Sequence, residues 1–512
     1  MAETNTVAPG VRSHSAPAGQ VAYRRMLLVF GALAAIAAAA HLFLALTAPN
    51  EFTQVESIIA SQSRVLAAQG TLYYDLKSYP YTVCAYMPVF YLLQAGLSLL
   101  GLPLLLAGRL LGIASLAAIL WLLWRTIELY TADRFAASTG LVLAGLTQLL
   151  LSWGTVAQSD MLAIALSFAS FYFYARYRVL GQDTIPVAAL FALAGLLTKQ
   201  TVIAAPAAIF LLLLTHRPAK ALQFAAITGG LGAAIVLGLN AAMDGRFLAN
   251  TLYANLNPFA WYKFQQHLQF AAFTVPTLLL IVFLGARKAI RAGLGAPFFY
   301  FLCAALVFLG TCGKIGAGTN YRIESTIALI LCSCLALHSL DFFPLFFRQS
   351  KSWITLLLLP VGIYAVQNLR FDVDNFLKES AYQREFSKQT AAVQPHLAGA
   401  KRVLSADTNV LIRTGRNLEV EPLIYRLLVE AGRIEPQPLS NDLRAAAFDR
   451  IVLYEDVSRP AGTDAEIPRL TPAQNAIIHG SYRLRAHIPG PYLDGLYLYE
   501  PRVNPLPPQG TP

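Results

Sequence analysis

A few ionisable side chains stand beside long apolar runs: Glu51, Glu56, Asp160, Lys199, Lys314 and Arg322. Ionisable groups near membrane depth are costly and tend to mark substrate paths. Carboxylates beside cations, facing an aqueous vestibule, suit a reaction that removes a hydroxyl proton and expels a phosphate. Lys and Arg would hold the anionic leaving group, and a carboxylate would serve as base. Glu51 follows Pro49-Asn50 at the end of the first apolar run, with Glu56 a little further on. Asp160 ends the polar stretch SWGTVAQSD and opens an apolar one. The plain alternative is a helix cap, because Ser159 or Asp160 can satisfy free N–H groups and complement the dipole.

The elements that must carry these residues follow from composition. Of 512 residues, 56% are hydrophobic and 13% charged, whereas soluble globular chains carry about 25% charged residues. That excludes a disordered chain, a disulfide-stapled module and an ordinary cytosolic enzyme, and leaves a polytopic α-helical membrane protein. The net charge of +11 fits Lys and Arg gathered on cytoplasmic loops, not nucleic-acid binding. The five Cys form no CxxC pair and read as packing residues rather than metal ligands.

The run from Met26 to Ala48 is 23 residues long, too long for a signal-peptide core of about 7–15 and long enough to span. Further apolar windows lie near 104–124, 135–152, 161–175, 184–198, 202–214, 221–242, 268–286, 297–311, 323–340 and 353–368. The stretch 87–101 is ambiguous. If it does not cross, fourteen loop Lys and Arg, among them Arg12, Arg348 and Lys351, face the inside and seven face the outside. The positive-inside rule prefers that arrangement. The expectation is therefore about eleven transmembrane helices: an inside tail (1–25), a membrane domain (26–368) with a first outer loop (49–103), an extracytoplasmic domain (369–501) and a disordered, Pro-rich tail (502–512). The spans 184–198 and 202–214 are short and meet at Thr198-Lys199-Gln200, so Lys199 should sit in a protein-lined cavity below the membrane surface. The last 140-odd residues mix strand-like runs (402–405, 450–454) with helix-like ones (421–431, 440–447), as a small α/β domain would.

Other features have bland readings. Gly313, Gly316 and Gly318 suit an interfacial turn better than a phosphate cradle. The tyrosines at 73, 74, 79, 81, 86 and 91 suit an interfacial belt better than a sugar platform. His41, His216 and His338 lack partners at metal spacing. Arg109, inside a span, reads as a snorkelling side chain.

Taken in order, Asn50-Glu51, GTLYYD (70–75), YMPVFY (86–91), Gly101 and Arg109, Ser159-Asp160, LLTKQT (196–201) and GKIGAGTNYRIE (313–324) resemble the GT-C membrane glycosyltransferases that use polyprenyl-phosphate sugars. The pattern is similar to bacterial proteins with a glycosyltransferase family 39 (dolichyl-phosphate-mannose-protein mannosyltransferase-like) or lipopolysaccharide-core galacturonosyltransferase-like domain. VLSAD…TGR…EPLIYRLL (403–428) resembles their outer domain. The resemblance implies an inverting hexosyl- or pentosyltransferase of the bacterial inner membrane with an extracytoplasmic active site. It implies Glu51 as general base, where relatives often have Asp-Glu instead of Asn-Glu, with Glu56 in reserve. It implies Asp160 as the residue that orients a substrate, or helps hold a divalent cation in relatives that use one. Lys199 and Gln200 would contact donor phosphate, helped by Lys314, Asn320, Tyr321 and Arg322, and Tyr74, Asp75 and Tyr86 would complete the substrate site. No resident metal or other cofactor is assigned. The partners implied are the polyprenyl-phosphate sugar, membrane lipid, and a glycan, lipid or protein acceptor. The alternatives are a flippase for lipid-linked saccharide, which should show paired broken helices in inverted repeats, and a non-catalytic cell-envelope scaffold.

Overall fold

The computed structural model describes residues 18–255, 257–340, 352–458 and 469–503. Residues 1–17 and 504–512, and the Arg348–Lys351 loop, where an inside tail, a disordered tail and inside charges were expected, lie outside the described residues. Among the described residues, five helical segments are long and apolar enough to cross a membrane: Arg24–Thr47, Leu104–Thr131, Pro218–Ala242, Pro276–Thr311 and Thr319–Ser339. The pair Arg134–Gly145 and Gln148–Gly154, bent by 66°, makes a sixth if read as one broken span. This is a multi-pass membrane protein, as its composition requires.

The described helices do not add up to the eleven spans expected. Ile185–Leu196 and Ala204–His216 have 12 and 13 residues and reach only about 20 Å, against a core of about 30 Å. Pro88–Leu99, the ambiguous stretch, is equally short. The window 268–286 is interrupted, because one helix ends at Thr274 and the next begins at Pro276, whose ring and missing N–H break a helix interior. Pro276–Thr311 is itself turned at Gly293, with φ 88°.

The centre of the bundle is the Thr319–Ser339 segment, 89% of whose apolar window is buried. Leu28, Ile36, Phe43, Leu237 and Phe283 lie exposed on the peripheral helices, where lipid would cover them. Close packing also shapes the loop that leads to Asp160. A Cβ on Gly112 would come within 2.9 Å of the Gly154 and Val156 carbonyls, and one on Gly108 within 2.5 Å of Ala157 Cβ. Glycine one turn apart at both places lets the 154–158 backbone lie directly on the Leu104–Thr131 helix.

The Ser352–Val393 helix, 42 residues long, runs unbroken across residue 369, so the change of composition falls inside one element. It leads into a four-stranded sheet of order β1-β2-β4-β3. Strand β1 (Val403–Ser405) is parallel to β2 (Arg450–Leu453), while β4 (Leu496–Pro501) is antiparallel to β2 and to β3 (Tyr482–Ile488). Helices Pro422–Glu430 and Gln437–Arg444 lie between β1 and β2, so the small C-terminal α/β unit read from the sequence is present. The first loop is stitched to it. Tyr81 N donates to Glu419 O at 2.7 Å and Glu421 N to Tyr81 O at 2.9 Å, and Arg64 donates to the Arg416 and Ile412 carbonyls.

Candidate active site

Arg109 does not snorkel. It is 1% exposed and donates to the carbonyls of Ala45, Ala48 and Asn50 at 3.1, 2.6 and 2.5 Å. It also pairs with Glu56, Nε to Oε1 at 3.3 Å and Nη2 to Oε2 at 3.2 Å. Glu56 accepts in addition from Phe52 N at 2.6 Å and Ala157 N at 2.5 Å. Its oxygens are saturated, and its work is to fasten the first loop to the loop before Asp160. Gln158 Nε2 to Thr53 Oγ1, at 2.5 Å, adds a second tie between those loops. The reserve candidate for the base thus has both oxygens engaged in hydrogen bonds.

Glu51 has the opposite character. It is 4% exposed, yet its Oε2 finds no hydrogen-bond partner among the described residues. Burial, and next the charge of Asp407, push its pKa well above the usual carboxylate range. Those are the conditions that bring a carboxylate towards general-base work near neutral pH.

Asp160 sits in the first turn of the Ser159–Leu180 helix, but its carboxylate is not spent on a cap. Oδ1 accepts from Lys199 Nζ at 2.6 Å and Asn320 Nδ2 at 2.7 Å, and Oδ2 has no partner among the described residues. Lys199 lies in the break between Leu196 and Ala204, as its short flanking spans foretold. Its ammonium stands 5.0 Å from the Tyr86 ring centroid and 5.5 Å from that of Tyr321, a cation–π arrangement. Val89 N to Leu197 O at 3.2 Å holds the YMPVFY segment beside this break. Trp153 Nε1 to Thr319 Oγ1 at 2.9 Å holds the 319–322 turn beside the Asp160 loop. Asp160, Lys199, Asn320 and Tyr321 border a small open cleft with Ile164, Val202, Ala304 and Val307 among its walls.

Four elements thus bring together Tyr86, Asp160, Lys199, Asn320 and Tyr321. Other expected site residues are placed elsewhere or otherwise engaged. Gln200 Nε2 donates to the Ala85 and Thr251 carbonyls, and Tyr74 is packed beneath the first loop in a cluster with Phe247. Asp75 is exposed and accepts from Lys77 N. Lys314 bonds Asn255 Oδ1 at 2.8 Å. Arg322 turns to Thr274 Oγ1 at 3.2 Å and the Phe270 ring at 4.1 Å. Neither Arg322 nor Glu51 lines the cleft. Sequence reasoning missed Glu324, a buried acid on the cleft wall that accepts from Ser167 Oγ and Tyr300 OH. Its signal was present in the motif that ends in Arg322-Ile323-Glu324. It also missed Asp407, which closes the VLSAD run (403–407) but was read only as part of the outer domain.

Among the described residues no group of three His, Cys, Asp or Glu is arranged to hold a metal ion. Around Asp160 the neighbours are an ammonium and an amide donor, which do not suit a hard divalent cation seeking about six oxygens.

This fold has been seen in solved membrane proteins. ArnT from Cupriavidus metallidurans bound to undecaprenyl phosphate superposes with a TM-score of 0.61 at 14% identity, covering 94% of this chain and 99% of that one. Its apo state gives 0.63 at 13%, covering 95% and 100%. The apo oligosaccharyltransferase of Archaeoglobus fulgidus gives 0.50 at 10%, covering 93% and 75%. The chain shares the fold of these proteins. No protein-family profile and no curated protein matches it.

Removing one partner of a buried ion pair strands the other and costs about 3–5 kcal/mol. Lys199→Met and Asp160→Asn alone should each lower the thermal unfolding midpoint in detergent, and the double variant should recover at least half of the larger loss. Additive losses would mean that the two side chains are not coupled.

Proposed function

We propose that this protein transfers a sugar, a hexosyl or pentosyl unit, from a polyprenyl-phosphate donor to an acceptor hydroxyl, with inversion at the anomeric carbon. The observation that carries this reading is the buried Lys199–Asp160 pair, with Asn320, at an apolar-walled cleft; Glu51, outside the cleft lining, is a buried carboxylate with one oxygen left unpartnered among the described residues. The GT-C fold and the undecaprenyl phosphate bound to one protein that shares it support a lipid-phosphate donor.

In this reading Glu51 takes the proton of the acceptor hydroxyl as its oxygen attacks the anomeric carbon. The bond from that carbon to the phosphate oxygen breaks, and the electron pair leaves with the polyprenyl phosphate. Lys199 uses only one of its three N–H donors on Asp160, so the others can meet the leaving phosphate, where a charge-assisted bond contributes about 1.5–3 kcal/mol. Asp160 and Asn320 hold the ammonium in register, and the rings of Tyr86 and Tyr321 shield it from water. The proton on Glu51 then returns to solvent.

Membranes containing the protein, given a panel of radiolabelled polyprenyl-phosphate sugars, should move label from one donor into acceptor material. Glu51→Gln keeps the shape but cannot accept the proton, so kcat should fall about 10²–10⁴-fold with donor binding retained. Glu56→Gln should instead reduce the amount of folded protein. Full turnover by Glu51→Gln, or no transfer from any donor by the wild type, would overturn the reading.

The fourteen-to-seven asymmetry of basic loop residues supports an extracytoplasmic site and C-terminal unit. Alkaline phosphatase fused after Pro501 in a bacterial host should be active. An inactive fusion there, with an active one after Arg348, would reverse the orientation.

A further inference from the structure

The frame around Glu51 is not made by the membrane helices alone. The turn 406–409, which opens the Thr408–Arg413 helix, is bonded to the 50–54 loop along its length. Gln54 Nε2 donates to Ala406 O at 2.9 Å, Glu51 N to Asn409 Oδ1 at 3.3 Å, and Asn409 Nδ2 to Asn50 Oδ1 at 3.3 Å. From the Ser352–Val393 helix, Gln383 Nε2 donates to Glu51 O at 2.9 Å, and Ser387 Oγ accepts from Asn50 Nδ2 at 2.7 Å. The backbone N–H and carbonyl of Glu51 are therefore both held by residues more than 300 positions away.

Within that frame lies Asp407, 0% exposed. Its Oδ1 accepts from Val410 N at 3.0 Å. Its Oδ2, like Glu51 Oε2, is buried without a hydrogen-bond partner among the described residues. Two buried carboxylates that feel each other's charge, each with an orphaned oxygen, cannot both stay ionised at modest cost.

We propose that Asp407, supplied by the C-terminal unit, is the proton-sharing partner of Glu51: a positioning residue that sets when the base is ionised without itself touching substrate. The inference rests on the reading of Glu51 as the base. At neutral pH the pair holds one proton and one negative charge. The other charged and titratable groups facing it are Glu56 with Arg109 from the membrane domain, Glu379 and Tyr382 from the long helix, and Tyr454 and Arg469 from the C-terminal unit. Arg109 is committed to Glu56 and three carbonyls, so it does not neutralise the pair. Arg469 acts on Asp407 but does not outweigh its burial, which raises that carboxyl to about 6. Glu51 is raised first by burial and then by the Asp407 charge. Removing that charge must lower the pH at which Glu51 ionises, and with it the acid limb of any activity that needs ionised Glu51.

Dicyclohexylcarbodiimide adds to protonated carboxyl groups in apolar surroundings and reads this state without any sugar donor. The full-length protein in detergent would be labelled from pH 5 to 9 and the adducts located by peptide mass spectrometry. The wild type should take one adduct per pair at pH 7, at Glu51, with labelling declining as pH rises. Asp407→Asn should move that midpoint down by about one pH unit or more, roughly tenfold less label at a fixed pH above it. Asp407→Glu, which returns the charge, should restore it, and Asn409→Ala, which loosens the frame but keeps the charge, should leave it in place. An unmoved midpoint in Asp407→Asn overturns the proposal. So does a wild-type pair carrying no adduct or two, which decides the matter if Asp407→Asn does not fold. Because no sugar is transferred in this experiment, the pair can be established even if the transferase reading fails. If the transferase reading holds, an acid limb that moves down in Asp407→Asn supports the proposal, and one that stays overturns it.

Discussion

The buried pair of Arg109 and Glu56 is the contact on which the rest of the site hangs. One guanidinium gathers the end of the first span, the start of the first loop and an acid at the head of the Gln54–Gln69 helix. Through Glu56 Oε1 and Ala157 N, the same pair sets the loop that delivers Asp160. A charge as deeply buried as Arg109 survives only with its donors fully engaged, so the geometry has little freedom. The pair also divides labour between two neighbouring acids. Glu56 is saturated with donors and anchors the loop. Glu51, held at its backbone and by Ser57 but with Oε2 unpartnered among the described residues, is left able to exchange a proton.

A second constraint comes from the bilayer. Helices too short to cross must end inside protein, because their free carbonyls and N–H groups find no partners in hydrocarbon. Ile185–Leu196 and Ala204–His216 end in this way, and the break between them carries Lys199 to Asp160 rather than to the surface. The break itself supplies Val202 to the cleft wall, with Ile164, Ala304 and Val307 from neighbouring helices, so a charged group and a lipid-compatible surface meet at one place.

These placements were unequally legible in the sequence. The break at Lys199 could be read because it depends on local length alone, and the strands at 403–405 and 450–453 because a short apolar run between polar ones has few other uses. Asp160 was identified as a site residue, but its cap alternative could be dismissed only by seeing Lys199 and Asn320 on its oxygen. Arg109 was misread because its partner is 53 residues away, and composition says nothing about such pairing. Arg322 was read as helping Lys199 hold the donor phosphate, yet at the end of the 319–322 turn it reaches Phe270 and Thr274 instead. Asp407 was beyond reach, since its meaning arises only when the C-terminal unit folds back on the first loop. The described helices do not confirm the number of crossings, because hydropathy windows do not register a stop such as the one at Pro276.

The central claim is that one cleft receives the donor phosphate at Lys199 while Glu51 waits on the acceptor side. A cryo-EM structure of the Glu51→Gln variant with a polyprenyl-phosphate lipid tests it most directly. The account predicts phosphate density at hydrogen-bonding distance, about 3 Å, from Lys199 Nζ, with the lipid chain along Ile164, Val202 and Val307 and the sugar-bearing side turned towards residue 51. Phosphate held by Arg322, with the Lys199–Asp160 pair undisturbed, would contradict it.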